Sequence, residues 1–257
     1  MITLLTDFGS RDAYVGIMKG VIASIYPQVQ IIDLTHDIPP QDLWAARFNL
    51  LNAVPYFPPD TIHGVVVDPG VGTSRRGIAV KTDAGILVGP DNGVMSGVWQ
   101  RSSIQQAVEL SNRDYWRVAN PSTTFHGRDI FAPVAAHLAR GVSLNSLGKT
   151  LSAESLERLE LPPVLKKDQE IQGVIQHVDH FGNAITTIPA EEVSHRQPES
   201  VAVSLTTLPW HSAYGEVEPQ QPLALAGSHG WVEIAINQGN AKEHLQLRVG
   251  DSVTVRL

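Results

Sequence analysis

Cysteine is absent from the 257 residues of this chain. Its absence excludes thiol catalysis, cysteine-ligated zinc sites and disulfide bonds, and it is typical of proteins from a reducing compartment. No apolar run approaches the roughly 18 residues that a membrane-spanning helix needs. The first seven residues carry no basic leader, so we expect no signal peptide, no membrane partner and a cytoplasmic location.

Clustered positive charge is also missing. The 26 acidic side chains outnumber the 19 basic ones, the formal charge is −7, and no run of Lys and Arg exceeds two residues. Nucleic-acid-binding proteins need a basic surface, so we expect no nucleic acid partner. An acidic chain is better suited to a cationic or neutral small-molecule substrate.

The first 165 residues alternate short β-branched runs with helical periodicity. This alternation predicts an α/β domain with a central sheet flanked by helices. Strands are predicted at 2–5, 30–34 and 62–67, and a hairpin at 77–88. Helices are predicted after Asp12 and Asp42, each acting as an N-cap, and a third helix at about 130–139.

Residues 166–257 show little helical periodicity and carry frequent turn signals instead. Short strands separated by turns predict a smaller all-β barrel or sandwich domain, with the domain boundary near residue 165. The six predicted strands cover 171–178, 184–188, 201–205, 223–226, 231–236 and 252–257.

Acidic residues follow the predicted strands of the first domain. They are Asp7, Asp33 with His36 and Asp37, and Asp68. Ligands of open α/β sheets bind beyond the carboxyl ends of the strands. Any one of these acids could simply cap the next helix, but three acidic strand ends together favour a binding site.

Two further segments of this domain could carry chemistry. Segment 68–76, DPGVGTSRR, has glycines that let a ligand approach the backbone and two arginines that could hold phosphate. It lacks the lysine of a P-loop, and a glycine turn with solvated arginines explains it equally well. His126 precedes a predicted helix, where catalytic groups are often presented, although a lone histidine is more often structural.

Two predicted turns of the β domain carry polar and aromatic side chains. Phe181 and Asn183 offer a stacking face and an amide, which suit a purine, although a hairpin tip alone accounts for the glycine and asparagine there. Ser228 and His229 offer donors for a carboxylate. These residue types leave three classes open, namely a metal-dependent nucleotide phosphatase, a metal-free group-transfer enzyme and a nucleoside-binding sensor.

Taken together, these segments resemble the S-adenosylmethionine (SAM) hydroxide adenosyltransferase family, relatives of the SAM-dependent fluorinase and chlorinase. The resemblance covers both predicted domains in the family's order. The matching stretches are LLTDFGSRDAYVGIMKGVI (4–22), IIDLTHDIPPQDLWAARFNL (31–50), PYFPPDTIHGVVVDPGVGTSRRGIAV (55–80), VGPDNGV (88–94), TTFHGRDIFAPVAAHLARG (123–141), VDHFGNAIT (178–186) and GSHGWVEIAINQGNA (227–241).

The resemblance implies hydrolysis of SAM to adenosine and methionine without metal or cofactor. It also implies that Asp68, Arg75 and His126 position and activate the attacking water, with the final proton acceptor left open between Asp68 and His126. The halogenating relatives replace this trio and carry an insertion after the DPGVGT-like segment. This chain keeps the trio and has only a tight turn at 83–85, which disfavours halide transfer.

By the same resemblance, the substrate is held by residues of both domains, and the family's homotrimers place the site between neighbouring subunits. Gln41 stands where the fluorinating relatives have Trp, and Tyr14 stands where they have a small hydroxyl residue. The implied contacts are Asp7 with the ribose, Asp179 with the methionine ammonium, Phe181 and Asn183 with the adenine, Tyr214 stacked on the purine, and Ser228 and His229 with the methionine carboxylate.

Overall fold

The computed structural model describes residues 1–196 and 198–257. The chain divides into two compact units, Met1–Leu159 and Glu160–Leu257. The predicted two-domain organisation is thus observed, and the division lies slightly before residue 165. No helix in the described ranges is long and apolar enough to cross a membrane.

The first unit contains one seven-stranded sheet. Its strands are β1 (Ile2–Thr6), β2 (Ile31–Thr35), β3 (Ile62–Val66), β4 (Gly77–Thr82), β5 (Gly85–Pro90), β6 (Ile104–Glu109) and β7 (Thr150–Leu151). Their order in the sheet is β2-β1-β3-β5-β4-β6-β7. Strand β1 runs parallel to β2 and β3, and β3 runs parallel to β5. Strand β4 is antiparallel to β5 and β6, which confirms the predicted hairpin.

Three α-helices belong to this unit: α1 (Tyr14–Ile25), α2 (Leu43–Ala53) and α3 (Ala132–Ala139). Asp42 caps α2 as predicted, because its side chain accepts a hydrogen bond from the backbone N–H of Ala45 at 2.9 Å. The predicted cap of α1 is wrong. Ala13 is the N-cap of α1, which begins at Tyr14, so Asp12 lies one residue before the cap and is exposed.

The core of the first unit consists of two hydrophobic clusters that meet at β1. Leu4 belongs to a cluster that includes Met18 of α1 and Ala135 of α3. Leu5, the next residue, belongs to a cluster that includes Leu50 of α2. Successive side chains of a strand point to opposite faces, so β1 is covered on both faces and reads as a continuous buried run.

In its described residues, 160–196 and 198–257, the second unit is an antiparallel sheet with one short α-helix, α4 (Ala241–His244). The six predicted strands are all present, and β8 and β12 are additional. The strands are β8 (Leu165–Lys166), β9 (Glu170–Val178), β10 (Ala184–Pro189), β11 (Ser200–Val203), β12 (Thr206–Leu208), β13 (Pro222–Ala226), β14 (Trp231–Ile236) and β15 (Ser252–Arg256). Their order is β12-β11-β15-β9-β10-β14-β13, with β8 paired to β9.

This second sheet is nearly closed into a barrel. The segment that follows β12 runs beside the opposite edge strand, β13, where Trp210 pairs with Ala224. Ala224 donates its backbone N–H to the carbonyl of Pro209, and its carbonyl accepts from the N–H of His211, both at 2.9 Å. The two edges of the sheet therefore satisfy each other's backbone groups at this point.

Candidate active site

Two strand ends of the first unit deliver carboxylates to one cavity. In the parallel pair β1–β3, Thr6 lies opposite Val66, so the chain exits of the two strands are adjacent. Asp7 and Asp68 follow these ends and line an open cavity of about 360 Å³. Other residues that line it include Phe8, Tyr14, Gln41, Phe125 and His126.

Arg75 joins Asp68 to His126 at this cavity. Its guanidinium donates from Nε to Asp68 Oδ1 at 3.0 Å, and Nη2 donates to Asp68 Oδ2. The same Nη2 lies 3.0 Å from His126 Nδ1. The side chains of Arg75 and Asp68 are only 8% and 5% exposed. The structure thus brings together three residues that are up to 58 positions apart in the sequence, since His126 and Asp68 differ by 58.

The hydrogen bond from Arg75 fixes the tautomer of His126. A guanidinium has only donors, so Nδ1 of His126 accepts and its neutral ring carries the hydrogen on Nε2. Burial and the nearby charge of Arg75 lower the pKa of His126, against the opposing effect of Asp68. Burial raises the pKa of Asp68, although Arg75 and His126 pull it down. Asp68 is therefore more basic than an ordinary aspartate, and His126 is a neutral donor.

The loop that carries Arg75 is held by close backbone packing. Gly72 has a φ of +78°, and a Cβ at this position would collide with the carbonyl oxygen of Thr123. This is where the segment requires glycine. The Arg75 guanidinium also lies over the ring of Phe131, 5.4 Å from its centroid. These contacts fix Arg75 against the segment that leads to His126.

The phosphate-binding interpretation of this segment is not favoured by its contacts. Arg75 is engaged by Asp68, and Arg76 forms an ion pair with the buried Asp91. Arg76 also donates to the carbonyl of Ser155. Both guanidinium groups are therefore committed to protein oxygen atoms rather than presented to a ligand as free cations.

The acidic residues near β2 do not join the cavity. Asp33 lies within the strand rather than at its end, and it pairs with Lys19 at 2.6 Å. His36 lies 3.1 Å from Asp33 and bonds through Nδ1 to Thr6 Oγ1 at 2.8 Å. Although this order of acid, imidazole and hydroxyl matches a hydrolase triad, Thr6 is fully buried, so the arrangement is structural. Asp37 is exposed.

Asp129 is a buried acid that the sequence analysis did not single out. It is fully buried and accepts hydrogen bonds from Arg117, Arg128 and the backbone N–H of Ser122, at 2.6–2.9 Å. These bonds hold the pKa of Asp129 well below its usual range, against the effect of burial. Asp129 ties the incoming loop to the wide helical turn Gly127–Phe131, which His126 precedes.

In the second unit, Asp179 organises the turn between β9 and β10. Its Oδ1 accepts from the backbone N–H groups of Phe181 and Asn183 at 3.0 and 2.8 Å. Its Oδ2 accepts from the side-chain amide of Asn183 at 3.1 Å. Gly182 in this turn has a φ of +87° and packs on Asn240. Asp179 therefore shapes the turn and keeps lone pairs for a further donor.

Three predicted contact residues of this unit line a second cavity of about 610 Å³. They are Phe181, Asn183 and Tyr214. Phe181 is 72% exposed, whereas Asn183 is 8% exposed. The cavity thus combines an open aromatic face with a buried amide, the two features that a purine needs.

The other two predicted contact residues lie at the turn between β13 and β14. Ser228 is exposed, and His229 Nε2 lies 3.0 Å from Glu233 Oε2. Neither is among the residues that line the second cavity.

In residues 1–196 and 198–257, no three His, Asp or Glu side chains are grouped so that they could hold a metal ion.

Comparison with known protein families assigns both parts of the chain. The model of the SAM hydroxide adenosyltransferase N-terminal domain matches residues 2–148, and that of the C-terminal domain matches residues 173–254. This chain belongs to the SAM hydroxide adenosyltransferase family. The resemblance predicted from the sequence motifs is confirmed.

Individual relatives of this SAM hydroxide adenosyltransferase family member agree. The (R)-S-adenosyl-L-methionine hydrolase of Salinispora tropica is 40% identical, over 99% of this chain and 97% of that protein. A fluorinase of an Actinoplanes species is 27% identical, over 99% of this chain and 97% of that protein. A crystal structure of a conserved protein from Thermotoga maritima superposes with a TM-score of 0.94 at 38% identity and covers 100% of both chains.

Proposed function

We propose that this chain hydrolyses S-adenosyl-L-methionine to adenosine and L-methionine. The observation that carries this conclusion is the contact of one guanidinium, Arg75, with a carboxylate and an imidazole at the edge of an open cavity. The activity is the one that the names of relatives at 33–40% identity print. Those names also specify the R configuration, and we propose the same epimer as substrate.

The leaving group of this reaction departs without help from an acidic group of the protein. Water attacks C5′, an O–C5′ bond forms, and the C5′–S bond breaks with its electron pair staying on sulfur. The sulfonium thereby becomes the neutral thioether of methionine, and one proton is released. Because this leaving group needs neither an acid nor a Lewis acid, we propose that no metal and no cofactor takes part.

The nucleophile is the difficult partner, because bulk water ionises only near a pKa of ~15.7. We assign the proton to Asp68, whose pKa is raised by burial. His126 donates from Nε2 to the water oxygen and leaves a lone pair directed at C5′. Arg75 keeps both groups in place and stabilises hydroxide character through its permanent charge. Holding water about 3–3.5 Å from C5′ in line with the C–S bond removes several kcal/mol of the barrier.

The substrate contacts follow from the chemistry of the lining groups. Asp7 would bind the ribose hydroxyls, since one oxygen already accepts from the N–H of Gln41 at 2.8 Å and leaves the other available. Asn183 donates one amide hydrogen to Asp179, so its side-chain carbonyl remains available to accept from the adenine amine. Phe181 and Tyr214 would stack on the base, Asp179 would bind the ammonium, and Ser228 and His229 would bind the carboxylate.

The architecture suits a site shared between copies of the chain. We propose a helix-flanked α/β domain that activates water, a barrel domain that holds adenine and methionine, and a cytoplasmic homotrimer with sites between subunits. This is supported by the separation of the two sets of side chains into two compact units. Symmetric homo-oligomers are the usual assemblies of soluble proteins.

Turnover in isotopically labelled water tests the proposal. Purified protein is incubated with each sulfur epimer of SAM in H₂¹⁸O, and the products are separated by chromatography and analysed by mass spectrometry. We expect methionine and adenosine, with one ¹⁸O in the 5′-hydroxyl of adenosine. SAM bound without products over hours would instead identify a sensor. Release of phosphate from nucleotides that stops on addition of EDTA would identify the metal-dependent phosphatase.

A further inference from the structure

A buried carboxylate in the barrel domain connects two of the proposed substrate-binding loops. Glu233 lies on β14, a strand that is paired on both sides, and is only 3% exposed. Its Oε1 accepts a hydrogen bond from the hydroxyl of Tyr214 at 2.6 Å. Its Oε2 lies 3.0 Å from His229 Nε2. Both oxygens are therefore occupied by side chains from different loops.

The direction of both hydrogen bonds is fixed by neighbouring groups. His229 Nδ1 accepts from the backbone N–H of Trp231 at 3.2 Å, so Nε2 carries the hydrogen and donates to Glu233. Burial and the contact with Glu233 raise the pKa of Tyr214, which keeps the phenol protonated. Glu233 thus acts as the acceptor of two donors, and charge-assisted bonds of this kind are the stronger ones.

The tether matters for Tyr214 because burial alone does not hold its side chain. The residue begins the short turn Tyr214–Glu216 and is 43% exposed. Its ring lines the cavity of about 610 Å³ together with Phe181 and Asn183. An untethered tyrosine ring on an exposed turn can rotate about two side-chain torsions. The 2.6 Å hydrogen bond from the Tyr214 hydroxyl to a buried strand removes this freedom and fixes the ring.

We propose that Glu233 is a positioning residue that fixes the Tyr214 ring for the nucleobase and, through the His229 imidazole, the β13–β14 turn that presents Ser228 to the substrate carboxylate. This inference rests on the proposed function. Glu233 does not touch the reacting atoms, and it acts by holding the Tyr214 side chain and the turn that carries Ser228. Its loss should weaken substrate binding while the chemical step, carried by the other domain, proceeds as before.

Steady-state kinetics with conservative variants tests this role. We expect Glu233→Gln to raise KM for SAM about tenfold with kcat within about threefold, because an amide can accept from Tyr214 but presents a donor to the His229 donor. Tyr214→Phe keeps the ring and removes only the tether, and should raise KM similarly. The double variant should raise KM by less than the product of the two factors measured for the single variants. Calorimetry of adenosine binding should show the same loss.

The exposed Glu191 supplies the matched control, since Glu191→Gln removes a surface carboxylate of the same domain. Unfolding midpoints separate positioning from folding, and Tyr214→Phe leaves Glu233 in place should Glu233→Gln not fold. Wild-type turnover with unchanged KM in Tyr214→Phe, or a fall in kcat alone, would overturn the positioning role. Absence of adenosine from the wild-type reaction would instead overturn the proposed function.

Discussion

His63 gives the sharpest prediction about stability, because it is a fully buried histidine in the sheet that carries the proposed catalytic residues. It lies on β3 with no exposed surface, and Nδ1 bonds to Thr3 Oγ1 at 2.8 Å. Within the described residues, Nε2 is buried without a hydrogen-bond partner. Burial lowers the pKa of His63 from 6.5 to about 4. The neutral ring therefore belongs to the folded state, and protonation favours the unfolded chain.

The size of the effect follows from linkage. The unfolded state binds the proton near pH 6.5 and the folded state only near pH 4, so the contribution of His63 is complete above pH 6.5 and is lost as the pH falls through this window. A shift of one unit is worth about 1.4 kcal/mol. Between pH 7.5 and pH 5, the free energy of unfolding should therefore fall by about 2 kcal/mol through this group alone.

Urea denaturation of wild type and His63→Gln at both pH values measures this difference. The variant cannot titrate at this position, so its loss of stability between pH 7.5 and 5 should be smaller than that of wild type by about 2 kcal/mol. His180→Gln, which removes an exposed histidine, is the matched control and should keep the wild-type loss. Equal losses in wild type and His63→Gln would refute the reasoning.

Three further predictions concern turnover. Replacing Asp68 with Asn, or Arg75 or His126 with Ala, should lower kcat at least ~10²-fold with SAM binding largely retained; wild-type rates by product chromatography would remove these roles. Because burial raises the pKa of Asp68 from its ordinary value of 3.8, kcat/KM should fall as the pH decreases and Asp68 takes up a proton, with an acid limb above that ordinary value. An acid limb at or below pH 3.8 would contradict this assignment. Mixing refolded Asp68→Asn and Tyr214→Ala subunits should restore about a quarter of the wild-type sites if each site is built from two subunits of a ring, and no recovery would place each site within one chain.

The strand ends were predictable from sequence where the strand stops at the acid. Asp7 and Asp68 directly follow buried runs, and parallel strands bring their carboxyl ends to one edge of the sheet. Asp33 fits the same pattern, but β2 continues to Thr35, so Asp33 lies inside the strand. Its partner Lys19 is 14 residues away on α1, and no local pattern identifies such a pair. The predicted cap Asp12 failed for a local reason, since α1 begins one residue later than its spacing to the apolar face suggested.

Buried acids that act through distant partners were not predictable. Glu233 lies in a strand that reads as almost continuously apolar, and its partner Tyr214 is 19 residues away. Asp129 is paired with Arg117, 12 residues earlier. In both cases the acid alone looks like a solvated surface residue, and only the folded chain supplies the donors that satisfy it. The two-residue strands β7 and β8 are too short for any periodicity to appear.

The meeting of β13 with the chain after β12 has a consequence for solubility. An open sheet ends in a row of unpaired amides and carbonyls that recruits strands from other molecules. Here the N–H and the carbonyl of Ala224 are hydrogen-bonded to residues 209 and 211. These two groups of β13 therefore cannot act as a template for a strand of another molecule, which makes the middle of β13 a poor place for edge-to-edge aggregation to begin.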